Sequence, residues 1–289
     1  MKRLLSIVAV VLICVPVTEI AATQGQRGIV WQIERKGLEP SYIMGTVHSD
    51  DDRVLRLPEQ VRSVFRKASS FVAELKLDHF SIQQAAKMMF DLAGPPLESV
   101  IGQQRYQACI RLLAGYGIPE AQLQHMKPWA VAVSLSMPKS RSGVVLDIEL
   151  YQQAQSQGKK LFGLETAHEQ VAVFETLTLQ QQLSLLDDAI KQHHKLSSMF
   201  EELVQYYLQR DLNGLERASN KYMMQGDRLL AQNLIQKVLL DRNYRMVRRM
   251  QPRLQEGNSF IAVGALHLPG EEGILRLLEK QGYTVTAIY

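Results

Sequence analysis

Phe260–Gly270, FIAVGALHLPG, sets the reading of the whole chain. Phe260–Val263 is an apolar run of the length and composition of a short buried strand. Gly264 follows, then His267, then a Pro-Gly turn. Tyr42–His48, YIMGTVH, repeats the pattern with an apolar run, Gly45, two residues and His48. Two G-x-x-H turns at opposite ends of one chain predict that both strands share a sheet and bring their histidines to one edge of it.

The surroundings of the two copies run in the same order. Tyr42–Leu77 reads strand, G-x-x-H, polar loop, a helix from Pro58 to Ala68, then a strand over Ser70–Leu77. Phe260–Ile288 reads strand, G-x-x-H, a helix over Gly270–Lys280, then a strand over Tyr283–Ile288. Ile29–Arg35 alternates apolar and polar residues and is expected to pair with Ser41–Met44 as a hairpin. Between the copies the pattern is helical, apart from a short strand over Lys159–Gly163. The fold class predicted is α/β. It is a mixed central sheet of two related strand–GxxH–helix–strand units, with a helical insertion at roughly 80–250 covering one rim. No stretch poor in apolar residues divides the chain, so one domain is expected over 23–289.

Composition narrows the function classes. The 289 residues are 46% hydrophobic and 21% charged, ordinary values for a globular chain, and the net charge of +4 is mild. Basic residues are dispersed apart from Arg242–Arg249, so no nucleic-acid footprint is read. Lys2 and Arg3, the apolar run Leu4–Val17 and Ala21-Ala22 read as a cleaved export signal over 1–22. That run is short of the ~20 residues of a membrane span. The expectation is export across an inner membrane to the periplasm, with no stable span after cleavage. Cys109 would then be the single cysteine, and its apolar setting reads as packing.

Chemistry is expected beyond the carboxyl ends of the strands, where open α/β sheets bind ligands. His48, Glu74, Glu165 and His267 all lie in or just after apolar strands. Gly45 and Gly264 are read as structural turn residues that allow a close approach of backbone. Two imidazoles and one or two carboxylates suit a divalent transition ion such as Zn, Mn, Co or Fe. His48 and His267 would then bind the ion with one or both of Glu74 and Glu165, and a carboxylate that does not bind it would handle protons. Asp50, just after His48, is placed to hold a ligand from behind. Arg242 reads either as a solvated helix position or as a fork reaching a carboxylate or substrate oxyanion. Structural readings stand beside these: Glu74 on a surface-facing strand position, Glu165 as a helix cap, the histidines bonded in turns.

The motifs together resemble the TraB/GumN family, related to the TIKI-type proteases. The matching blocks are YIMGTVH with FVAELKL, GVVLDIELYQQAQSQGKKLFGLETAHEQ, DRNYRMV and FIAVGALHLPGEEGILRLLEKQGYTV. The resemblance implies an α/β core whose site is formed by His48, Glu74 and His267, with Gly45 and Gly264. It also aligns Gly163–Thr166 with the family's G-L-E-T block and Arg242-Asn243 with its Arg-Asn pair, which puts Asn243 behind a ligand. One departure is Tyr244-Arg245-Met246, where the family commonly has a Trp. The resemblance implies a metal-dependent, peptidase-like hydrolase acting on a peptide or small molecule. The alternatives are a metal-independent His/Glu hydrolase and a non-enzymatic ligand-binding protein of the cell envelope.

Overall fold

A computed structural model of the chain describes residues 27–140 and 142–289. The export signal expected over 1–22 lies outside the described residues. Among them, no helix is long and apolar enough to cross a membrane.

The described chain forms two compact units. One comprises residues 78–143 and 167–201 and is helical, with Gln103–Leu113, Pro128–Leu135 and Leu179–Gln192 among its helices. Trp129 stacks on Phe174 at 5.6 Å, and Arg105 grips Asp187 through Nε at 2.7 Å and Nη2 at 2.9 Å. Cys109 is buried there, and burial pushes its thiol up to about 11. It is therefore a packing residue rather than a nucleophile.

The other unit comprises residues 27–77, 144–166 and 202–289 and contains the sheet. Its strands are β1 (Val30–Glu34), β2 (Ser41–Thr46), β3 (Ser70–Leu75), β4 (Lys160–Glu165), β5 (Ser259–Gly264) and β6 (Thr284–Ala287). Their order in the six-stranded sheet is β4-β3-β5-β2-β1-β6. β4, β3, β5 and β2 run parallel, while β1 is antiparallel to both β2 and β6. The sheet is thus mixed and the fold α/β, as the strand–helix–strand pattern predicts. All six residues of β5 are buried, as expected of a parallel strand covered on both faces.

The strand from each G-x-x-H copy lies at the centre, β2 beside β5. From there the two crossovers run in opposite directions. The chain from β2 passes β5 to reach β3, and the chain from β5 passes β2 and β1 to reach β6. The copies are not in step, however. Gly45 pairs with Val263, and Thr46 with Gly264. This slip of one residue sets the two histidines in unequal surroundings.

Side chains alternate across each strand, and the packing follows. Phe71 and Phe260 lie parallel at 6.4 Å, and Phe65 of the helix Glu59–Lys67 meets Phe260 edge-on at 5.1 Å. Tyr151 of the helix Leu146–Ser156 closes on Phe71 at 6.2 Å. The helix Asp241–Glu256 packs against β4 and β5. Its arginines step along β4: Arg253 covers the Phe162 ring at 4.2 Å, and Arg249 donates to the Leu164 carbonyl at 2.9 Å.

Gly45 and Gly264 do not act as sharp turns. Neither has a positive φ, and Gly45 lies within extended β2. What Gly45 supplies is close approach. A Cβ there would sit 2.9 Å from the Ala265 Cα and 2.9 Å from Leu268 Cδ1. Both contacts belong to the segment that carries His267. Gly45→Ala is therefore expected to destabilise the protein by about 1–3 kcal/mol through overpacking. Urea unfolding should show the midpoint lowered with the slope unchanged; an unaltered midpoint would show that the 265–268 segment yields freely.

Candidate functional site

His267 follows β5 in a short 3-10 turn, Ala265–His267, and is fully buried. Its Nδ1 lies 2.5 Å from Asn243 Oδ1. The amide of Asn243 is oriented by its other end, where Nδ2 donates to the Glu272 carbonyl at 2.8 Å. Oδ1 is thus the acceptor, and Nδ1 of His267 carries the proton. Nε2 is left with its lone pair, has no hydrogen-bond partner, and points at Glu74 Oε1 3.6 Å away. Burial holds the His267 pKa well below its usual value, aided by Arg242 and less by His48, while Glu165 opposes. A neutral imidazole therefore faces a carboxylate oxygen, acceptor against acceptor.

Glu74 is near the end of β3, and its side chain is 17% exposed. Its Oε1 accepts the Gly264 N–H at 2.7 Å, and its Oε2 accepts from Arg242 Nη2 at 2.5 Å. Glu165 ends β4 with its side chain fully enclosed. Its Oε2 accepts from Arg242 Nε at 2.8 Å, and its Oε1 from Arg245 Nη1 at 2.9 Å. Arg242 itself is 1% exposed and gives Nη1 to the Val238 carbonyl at 3.1 Å. Burial opposes its charge, but Glu74 and Glu165 outweigh burial and its pKa is raised. A π-helical turn over Gln236–Leu240 immediately precedes its helix. Such turns carry one extra residue and re-aim the side chains that follow.

His48 lies beyond β2. Its Nδ1 is 2.9 Å from Asp147 Oδ2, on the helix Leu146–Ser156. The distance is that of a hydrogen bond although the ring N–H is not aimed squarely at Oδ2, so the contact combines charge with a bent hydrogen bond. Burial works against a charged His48, but Asp147, with Glu74 behind it, prevails and raises its pKa. Burial likewise works against the Asp147 carboxylate, but His48 and the Thr46 hydroxyl hold its pKa down. The Thr46 hydroxyl donates to Asp147 Oδ1. Tyr207 closes the far side, its hydroxyl donating to the Gly45 carbonyl at 2.9 Å.

Among the described residues, no group of three or more His, Cys, Asp or Glu side chains converges to hold a metal ion. The pair His267 Nε2 and Glu74 Oε1 nevertheless has suitable chemistry. Two donors on one tetrahedral ion are about 3.4 Å apart for bonds of about 2.1 Å, and this pair is 3.6 Å apart. His267 has Nδ1 hydrogen-bonded to a neighbouring oxygen, the usual support of a metal-ligating imidazole, and His48 Nδ1 has a carboxylate oxygen at 2.9 Å. The residues present thus fit a divalent ion at the pair, with His48 the third candidate.

Of the residues predicted from sequence, Glu74, Glu165, Arg242, Asn243 and His267 form one contact network. His48 adjoins it through charge. Asp50 lies in the loop after His48, and Asp147 is a carboxylate in contact with the imidazole. Asp147 and Thr46 escaped the sequence reading. Asp147 is a hundred residues from His48 in a helix with no marked motif, and only its place in the GVVLDIEL block was visible. Thr46 sat in plain view inside Y-I-M-G-T-V-H as a filler between glycine and histidine.

A profile of the TraB/PrgY/gumN family matches residues 29–287. Metalloprotease TIKI2 of Danio rerio is 27% identical, over 89% of this chain and 60% of its own length. Metalloprotease TIKI1 of Homo sapiens is 24% identical, over 89% of this chain and 61% of its own length. The chain therefore spans only about three fifths of these relatives. Uncharacterized protein YbaP of Escherichia coli (strain K12) is 23% identical, over 82% of this chain and 87% of its own length. No solved structure matches the chain.

The network and the two imidazoles make separate predictions. Arg242→Met leaves Glu74 without its guanidinium and Glu165 with Arg245 alone, and is expected to cost about 3–5 kcal/mol, read by urea unfolding. The histidines should respond to pH with opposite signs. His267 stays neutral when folded, so below about pH 6.5 the unfolded chain binds the extra proton and stability falls as pH falls. His48 gains affinity for its proton on folding, so its contribution is full below about pH 6.5 and is lost as pH rises through its raised pKa. Each effect is bounded by about 1.4 kcal/mol per pH unit. Relative to wild type, His267→Gln should flatten the acid loss of stability, and His48→Gln should cost more at pH 5.5 than at 7.5. Parallel curves for both variants would contradict the assignment.

Proposed function

The chain belongs to the TraB/PrgY/gumN family, and from that premise we propose that it is an exported, metal-dependent hydrolase of peptidase type. One observation carries the metal reading: the unpartnered Nε2 of neutral His267 faces Glu74 Oε1 at 3.6 Å. Two acceptors held together in a largely buried site call for a cation between them. The two named metalloproteases support the reaction class. The lysine-arginine start and apolar run of 1–22 support export to the periplasm.

In this reading His267, Glu74 and His48 hold the ion, which is Mn, Co or Zn by donor type. The ion would supply Lewis acidity and bring the pKa of water down to about 7. The remaining roles belong to the chain. Asn243 keeps the proton of His267 on Nδ1 and so keeps Nε2 open. Arg242 steadies the charge of Glu74, since its fork is spent on Glu74, Glu165 and Val238. Glu165, with each oxygen under a guanidinium, anchors Arg242. Proton handling then falls to Glu74, whose side chain is 17% exposed, rather than to the fully enclosed Glu165. The Gly264 N–H fixes one oxygen of Glu74 toward His267. The substrate is a peptide or a small molecule.

A second reading rests on His48 beside Asp147. An imidazole 2.9 Å from an enclosed carboxylate oxygen is equipped for acid–base work without a metal. In that case activity survives a chelator but not His48→Gln.

Metal analysis of purified protein separates the two. About one transition ion per chain is expected, absent from the His48→Ala/His267→Ala double variant. Equal, near-zero metal in both proteins would sink the metal reading and leave the second.

A further inference from the structure

The peptide unit between Val263 and Gly264 has polar partners at both ends. Its carbonyl lies 3.2 Å from Thr46 Oγ1, and its N–H donates to Glu74 Oε1 at 2.7 Å. This arrangement follows from the slipped register, which sets Thr46 opposite Gly264. With the two glycines in step, Thr46 would lie one residue further on, beyond the end of β5.

A hydroxyl has one proton to give, and that of Thr46 goes to Asp147 Oδ1. The other carboxylate oxygen lies 2.9 Å from His48 Nδ1. Tyr207 has its hydroxyl committed to the Gly45 carbonyl at 2.9 Å and supplies no competing donor to Asp147. Asp147 Oδ2 and His48 Nδ1 are themselves enclosed, although the Asp147 side chain as a whole is 23% exposed, so water screens their contact only in part.

We propose that Asp147 and Thr46 are positioning residues for His48. Asp147 keeps the ring proton on Nδ1, Thr46 keeps Asp147 aimed, and Nε2 becomes the nitrogen that His48 offers. The two histidines then reach the same protonation pattern by different means, His267 through an amide and His48 through a carboxylate braced by a hydroxyl. The inference rests on His48 being a working residue of the proposed hydrolase, but its first readout needs neither metal nor substrate.

The experiment is long-range 1H–15N spectroscopy of the imidazoles, with His48 assigned by its absence in His48→Gln. In wild type the neutral ring should be the Nδ1–H form. Asp147→Ala should convert it mainly to the Nε2–H form. Asp147→Asn, nearly the same shape, should shift it partway. Thr46→Val should also shift it partway, and Thr46→Ser should restore the wild-type spectrum, which loss of packing alone would not produce. Should Asp147→Ala fail to fold, the Thr46→Val spectrum decides the matter. An unchanged Nδ1–H form in folded Asp147→Ala, or in folded Thr46→Val where Asp147→Ala does not fold, overturns the inference, since an amide oxygen at 147 could hold the same form as Asn243 does on His267.

Titration with Co²⁺ alone provides the second arm. Asp147→Ala should bind it about 10–100-fold more weakly than wild type, the usual loss when the support behind a ligand is removed. Wild type that takes no Co²⁺ would fail the metal reading, and the spectra would still decide the positioning. Wild type that binds Co²⁺ with no spectral change in the variants overturns the positioning alone.

Discussion

A guanidinium taken out of water is tolerated only where carboxylates meet it. Arg242 is such a group, and much of the sheet unit is arranged around it. It ties the end of β3, through Glu74, to the end of β4, through Glu165, and both to the helix Asp241–Glu256. Removing either carboxylate leaves charge unmatched in the interior. The same fork orients Glu74, so the ion network that closes the fold also sets the oxygen that faces His267.

The sheet supplies the convergence. Four parallel strands bring their carboxyl ends to one edge, and the residues just beyond them meet there. Opposed crossovers from β2 and β5 leave those two strands adjacent at the centre. Close approach at Gly45 allows the segment after β5 to lie against β2. The slip of one residue then breaks the symmetry that the repeated motif suggests. His267 becomes fully enclosed and neutral, while His48 is drawn toward charge by Asp147. Similar G-x-x-H spellings thus yield two imidazoles with opposite shifts.

Membership of the TraB/PrgY/gumN family gives this arrangement a context without specifying its substrate. The relatives named as metalloproteases are distant and longer than this chain. The link from fold to reaction therefore runs through the chemistry of the His267–Glu74 pair.

By itself, the sequence determined the elements and marked the candidate residues. Apolar runs, glycines and helical periodicity are local, so the α/β class, the hairpin and the six strands were legible along the chain. His48, Glu74, Glu165 and His267 were legible as well, because polar residues at the ends of apolar strands stand out. Tertiary structure alone decided the rest. Whether Arg242 faced water or a carboxylate depended on a helix meeting β3 and β4 from far along the chain. The role of the glycines depended on what packs over them, not on their own φ. Asp147 and Thr46 acquire meaning only through contacts that span a hundred residues or a register slip of one. Such contacts depend on pairing and packing between distant segments, and no local pattern records them.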